Sequence, residues 1–139
     1  MRQSASVEGL RLTILSTLLA GSACEISVDE CEGLRREHEC VDADVEFGSC
    51  VWVEEIRSTS TCSDGERRGM CVGLSGAQQG CAAHSCEGSQ DGVNAWFREH
   101  DDGSVSVFVN PQCGPQPAGD WTACPDGGPS QCDCACAIR

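Results

Sequence analysis

The sequence predicts a small disulfide-rich α+β domain: a short N-terminal helix, an antiparallel sheet with a hairpin near 93–110, and an irregular disulfide-tied tail. Three observations predict it. Thirteen cysteines fall within 139 residues, while the chain has only three Trp, three Phe and no Tyr. A core so poor in large apolar side chains is marginal alone, and disulfides compensate. An Asp-Gly pair at 102–103 separates two runs rich in Val, Phe and Trp, which reads as a hairpin. All five prolines follow residue 110, which argues against regular structure in the tail.

Residues 1–23 read as a signal peptide. Arg2 and Arg11 supply a basic flank, Leu12–Ala20 is uncharged, and Gly21-Ser22-Ala23 offers the small side chains of a cleavage site. The apolar run is too short to span a bilayer, which takes about 20 residues. Ser22-Ala23-Cys24 resembles the bacterial lipobox, whose cysteine thiol receives a diacylglyceryl group. Gly21 stands where that motif carries a large aliphatic residue, so simple cleavage after Ala23 stays open. Cysteine arithmetic favours the lipobox: setting Cys24 aside leaves twelve of the thirteen, an even number. The remainder, 24–139, is one extracytoplasmic cysteine-rich domain by length.

Asp29–Glu39 predicts the short helix. Ser27 is its candidate N-cap, and Asp29 and Glu30 suit the positive end of the helix dipole. Cys31, Leu34, His38 and Val41 then share one face, although Gly33 costs about 1 kcal/mol relative to Ala. Cys50–Ile56, β-branched and aromatic, predicts a strand. Ser58–Gly69 is polar and turn-prone, Met70–Leu74 predicts a second strand, and Gln78–Gln90 is small and polar. Val93–Glu99 and Ser104–Asn110 predict the hairpin. With Asp102 and Gly103 as the central residues of a type I′ turn, Phe97 faces Phe108 and Trp96 faces Val109. Val105, Val107 and Val109 share one face.

Twelve cysteines are expected to form the scaffold: Cys31, Cys40, Cys50, Cys62, Cys71, Cys81, Cys86, Cys113, Cys124, Cys132, Cys134 and Cys136. Spacing alone does not assign their partners. Cys31, Cys40 and Cys50 are echoed at Cys62, Cys71 and Cys81, but too little else matches to read a duplication.

Cys132-Asp133-Cys134-Ala135-Cys136 has the spacing that binds soft metals when the thiols are reduced. Outside the cytoplasm, bridges to three different places are the expectation. No Cys-x-x-Cys occurs, which removes thioredoxin-like redox chemistry. His38, His84 and His100 are expected at the surface. Asp101 and Asp102, or Asp42, Asp44 and Glu46, lack the ligand periodicity of a calcium loop. There is no nucleophile elbow, phosphate loop or zinc-protease helix. No catalytic residue, metal or cofactor is therefore assigned.

Twenty-two acidic residues against nine Arg give a net charge of −13. Phosphates would be repelled, so nucleic acid is excluded as a partner.

The leader, Cys24 and the Gly-Ser-Cys-Val-Trp string at 48–52 resemble the cysteine-rich lipoproteins of bacteria, most of them without assigned activity. The resemblance carries over no catalytic residue. The expected function is a non-catalytic, lipid-anchored binding or envelope-surface module whose partners are the membrane, through Cys24, and an undefined protein or small molecule. Two alternatives are a soft-metal protein using Cys132, Cys134 and Cys136, and a secreted effector or hydrolase inhibitor presenting Ser58–Gly69.

Overall fold

Residues with β-branched and aromatic side chains on both faces make Gly48–Ser58 a central strand, β1. The computed structural model describes residues 24–78, 81, 83–125 and 128–138; the predicted leader lies outside them. β1 pairs along its length with β2, Glu66–Gln78, in an unbroken antiparallel register. β3 is Ala83–His84, β4 is Val93–Glu99 and β5 is Val105–Val109. β6, Pro115–Pro117, and β7, Thr122–Ala123, complete the sheet. The strand order is β3-β4-β5-β1-β2-β6, with β7 also on β4, and every pairing is antiparallel.

The disulfide-rich class holds, but the fold is mostly β. The predicted helix over Asp29–Glu39 is instead a 3₁₀ segment, Val28–Gly33, and one α turn, α1, Glu37–Val41. Leu34 and Arg36 between them are extended. Cross-links explain the break. Cys31 bonds Cys50 and Cys40 bonds Cys71, and these targets are near neighbours on β1 and β2. Nine residues apart on one α-helix, Cys31 and Cys40 would point in opposite directions. The chain must bend between them for both to reach the sheet. Val41, predicted to share a helical face with Cys31, Leu34 and His38, is 63% exposed, whereas Cys31 is buried. The N-cap expectation survives in part: the Ser27 N–H donates to the Glu30 carboxylate at 2.7 Å, which holds Glu30 below its ordinary pKa.

β2 starts at Glu66, inside the stretch expected to turn. Its polar start pairs with charges on β1: Glu55 lies opposite Arg68 and Arg57 opposite Glu66. Opposite charges across a strand pair support the ladder where apolar pattern is missing. A 3₁₀ turn at Cys62–Asp64 occupies what remains of the loop.

The hairpin is present, but its turn is not type I′. Glu99 pairs with Val105, and the loop is Asp101-Asp102-Gly103. Gly103 has φ +81°, whereas Asp102 is not left-handed. This is a type I turn closed by a left-handed residue. The pairs shift by one, so Trp96 faces Phe108 and Phe97 faces Val107. Asp102 accounts for the difference. Its Oδ1 accepts the Ser104 hydroxyl at 2.5 Å and the Ser104 N–H at 2.9 Å, and its Oδ2 meets Arg57 at 2.8 Å. Those Ser104 hydrogen bonds, with Arg57, lower its pKa to about 2. Replacing Gly103 with Val is expected to lower stability by about 1–2 kcal/mol, because L side chains resist positive φ. Nothing lies within 4 Å of an added Cβ, so the loss is conformational. Gly103→Asn should recover much of it in thermal melts.

Phe47 has φ +57° and is 83% exposed. Its ring therefore gains nothing from burial to offset the strained backbone. Phe47→Asn should raise stability by about 1 kcal/mol, since Asn tolerates this region, and a lower melting temperature would refute that account.

The tail is less irregular than predicted. Besides β6 and β7, it forms a 3₁₀ segment at Ser130–Ala137. One face of the sheet carries Val53, Val72, Leu74, Trp96 and Phe108 beneath Trp121. On the other face, Ala95, Val105 and Val107 pack under Cys124, Cys132 and Ala135, with Val109 beside them. The N-terminal segment covers the β1–β2 end of the sheet through Cys31, Cys40, Cys50 and Cys71.

Candidate functional site

A cleft of about 370 Å³ opens beside Arg68–Cys71 of β2. The N-terminal segment supplies Glu32, Leu34 and Arg35 to one side. β1 supplies Trp52 and Glu55, β4 supplies Arg98, and Trp121 reaches in from the loop before β7. Its size falls at the low end of the range for small-ligand pockets, about 300–1,000 Å³. Trp52 closes over Gly69, where an added Cβ would come within 2.4 Å of the indole.

Two charged networks line it. In the first, Arg98 donates to both oxygens of Glu32, at 2.9 and 2.6 Å, and the Trp121 N–H donates to Glu32 at 2.8 Å. Arg98 also lies 2.5 Å from Asp120 and 4.1 Å from the centre of the Trp121 ring. Burial opposes the charged form of Glu32, but the hydrogen bonds from Arg98 and Trp121 and the Arg98 charge outweigh it, and its pKa is lowered. The Arg98 guanidinium, also opposed by burial, is held charged by Glu32 and Asp120. Because its pKa is lower folded than unfolded, Glu32 contributes stability that is complete above the ordinary carboxylate value of about 4.3. That contribution disappears as the pH falls through the folded value. Glu32→Gln should therefore melt lower than wild type at pH 6 and lose less on acidification to pH 3; parallel pH profiles would contradict this.

In the second network, Glu55 is 1% exposed and lies within reach of Arg68 at 3.2 and 3.3 Å. The Ser106 hydroxyl donates to Glu55 by a short hydrogen bond. His100 Nε2 is 2.7 Å from the Ser106 oxygen. A Ser–His contact invites comparison with a hydrolytic pair, but the proton order is wrong. Ser106 has one proton and gives it to Glu55, so His100 must be the donor to Ser106. A general base needs the reverse. Ser106 is also 1% exposed, out of reach of a substrate.

Arg35 makes no hydrogen bond or ion pair among the described residues and lines the cleft. The cleft-lining charges are Arg35, Arg68 and Arg98 against Glu32 and Glu55. Asp120 beside Arg98 makes a third carboxylate, so the charges balance and Arg35 is the one cleft-lining cation without a carboxylate partner among the described residues.

The structure pairs all twelve cysteines expected in the scaffold: Cys31–Cys50, Cys40–Cys71, Cys62–Cys134, Cys81–Cys113, Cys86–Cys136 and Cys124–Cys132. Cys24 is free and exposed. Cys132, Cys134 and Cys136 bridge to three different places, so their sulfurs are not thiolates available to a soft metal. The echoed cysteines pair without repeat symmetry: Cys31 bonds Cys50, but Cys62 does not bond Cys81. Contrary to expectation, His84 is buried, 3.0 Å from Asp133, and His100 is half-buried.

Six bridges in a chain this small are the pattern of an extracytoplasmic protein. Among the described residues, no helix is long and apolar enough to cross a membrane. No protein family, curated protein or solved structure matches the chain.

Proposed function

We propose that this chain is a non-catalytic, extracytoplasmic binding module, held at a membrane by a lipid on Cys24, with the β2 cleft as its binding surface. One observation carries the anchor: twelve cysteines are paired, and the one left over is the exposed Cys24 at the N-terminal end of the described domain. A scaffold cysteine is held in a bridge, whereas Cys24 has no sulfur partner; a lipidated cysteine must stand clear of the fold. Several acyl chains would give a firm attachment where one gives a reversible one. The cleft supports binding, because it gathers aromatic walls and one unpaired cation, Arg35, into one concave surface. The donor order of the His100–Ser106–Glu55 chain supports the absence of catalysis.

The intact mass of the mature protein tests this reading. Acyl mass on a chain beginning at Cys24, together with a deficit of twelve hydrogens, is the expected result. Cys24→Ser should leave the fold intact and move the protein out of the membrane fraction. A mature chain without acyl mass would overturn the anchor and favour the secreted reading.

A further inference from the structure

We propose that the β2 cleft takes a small organic monocarboxylate with an aromatic or branched apolar body, its carboxylate held by Arg35 and the Trp52 N–H. This rests on the reading of the cleft as a binding surface, and deepens it by naming the class of ligand.

Hydrogen-bonding capacity selects that class. Glu32 accepts twice from Arg98 and once from Trp121. Glu55 accepts twice from Arg68 and once from Ser106. A carboxylate offers about four acceptor sites, so each is nearly saturated, and Glu55 is 1% exposed besides. The donors are in the opposite state. Arg35, exposed at the cleft wall, makes no hydrogen bond or ion pair among the described residues. The N–H groups of Trp96 and Trp121 are taken by Asn94 and Glu32. Trp52 is half-buried, and its N–H, without a partner among the described residues, is not sealed in the core. Gly69 keeps it uncovered, since an added Cβ would come 2.7 Å from its nitrogen. The spare side-chain capacity of the cleft is therefore that of a donor, and the ligand must accept.

Charge narrows the class. Arg68 is matched by Glu55, and Arg98 by Glu32 and Asp120, which leaves Arg35 alone to meet an anion. One guanidinium suits one carboxylate, which it can grip with two parallel hydrogen bonds. A phosphate dianion would bring a second charge beside Glu32 and Glu55 with no cation to meet it. An ammonium ion would find no free carboxylate and would face Arg35. A neutral sugar would leave most of its hydroxyl protons without a side-chain acceptor. Carboxylates elsewhere on this acidic chain are screened beyond about 8 Å at physiological salt. Leu34 and Met70, both half-buried, join Trp52 in offering apolar surface to the body of the ligand. The volume of about 370 Å³ suits a single ring or a branched chain.

The probe is 3-phenylpropionate, titrated into the full disulfide-bonded protein and followed by NMR. It should shift the Trp52 indole N–H and the Arg35 side-chain resonances, with a Kd of about 1 mM, as befits so few non-hydrogen atoms. 3-Phenylpropionamide keeps the shape and the carbonyl but not the charge, and should bind about tenfold more weakly. Arg35→Gln should weaken binding of the acid about tenfold, down to that of the amide, with no change in melting temperature, because Arg35 has no structural partner. Trp52→Phe removes the N–H but keeps an aromatic wall, and should weaken it about three- to tenfold. Equal affinity for acid and amide, or unchanged affinity in Arg35→Gln, would overturn the carboxylate assignment. Methyl β-glucoside binding as well as the acid at the same resonances would overturn the ligand class while leaving the cleft a binding surface. No shift at Trp52 or Arg35 with any of the three probes would overturn the cleft reading together with the class. None of these readouts depends on Cys24, so they can fail while the lipid anchor stands, or the reverse.

Discussion

Phe108→Ala is expected to destabilise the fold by about 3–5 kcal/mol, the range for deleting a large buried aromatic side chain. Phe108 is fully buried, and its ring meets Trp121 edge-on with centroids 4.7 Å apart and planes at 81°. Val53, Val72, Leu74 and Trp96 belong to the same cluster, and Glu55 lies directly opposite on β1. The void would thus open where three strands meet, beneath the indole that walls the cleft. Trp121 has other ties, to Glu32 and Arg98, which should keep it near its place in the folded state. The expected signature is a large fall in the urea midpoint with a modest change in native tryptophan emission. Phe108→Leu should cost well under half as much. A loss below about 1 kcal/mol for Phe108→Ala would mean that the cluster collapses freely and does not hold Trp121.

The strand that was easiest to read in the sequence is the one with the strongest pattern. Val93–Glu99 is apolar, β-branched and bounded by Asp91-Gly92 and the Asp-Gly turn, and β4 has those limits. β2 was half hidden. Its Met70–Leu74 core reads as a strand, but Glu66–Arg68 reads as loop until β1 stands opposite with its own charges. The N-terminal helix failed for a related reason: local propensity favours helix over Asp29–Glu39, and two cross-links to neighbouring strands override it. The hairpin register depended on Asp102 choosing Ser104 as partner, a side-chain bond that turn statistics do not contain.

The cleft was not legible at all. Glu32 and Trp121 are 89 positions apart, and Glu32 and Arg98 are 66 apart. In the sequence each is an ordinary charged or aromatic residue; only the sheet order brings them together. One signal was available in principle, because three Trp and so few cations make each of them worth tracking in an acidic chain. The cysteines behaved oppositely. Their even remainder after Cys24 was readable, whereas the partners were not, since twelve cysteines admit many pairings and spacing does not rank them.

Removing the Cys62–Cys134 bridge by a double Ala substitution should cost about 3–4 kcal/mol, and removing Cys124–Cys132 about 2–3 kcal/mol. The two bridges span 72 and 8 residues. Taken alone, the longer loop would suggest a still wider gap, but the other bridges shorten it. With Cys86–Cys136 intact, the chain already returns from Cys86 to within two residues of Cys134, so the loop that Cys62–Cys134 closes is effectively about 26 residues. Loop-closure entropy grows only logarithmically, and the predicted difference narrows to about 1 kcal/mol. The folded state should survive either change. The 3₁₀ segment Ser130–Ala137 keeps two other bridges whichever one is lost, and Ala135 remains packed over the β4–β5 face. The stability should therefore be lost mainly through a freer unfolded chain. Equal losses for the two double variants, measured from urea midpoints with unchanged m-values, would contradict chain entropy as the source and point to packing at the buried Cys132 and Cys134. A difference of about 2 kcal/mol would instead show that the bridges act as independent loops of 72 and 8 residues, with no help from Cys86–Cys136.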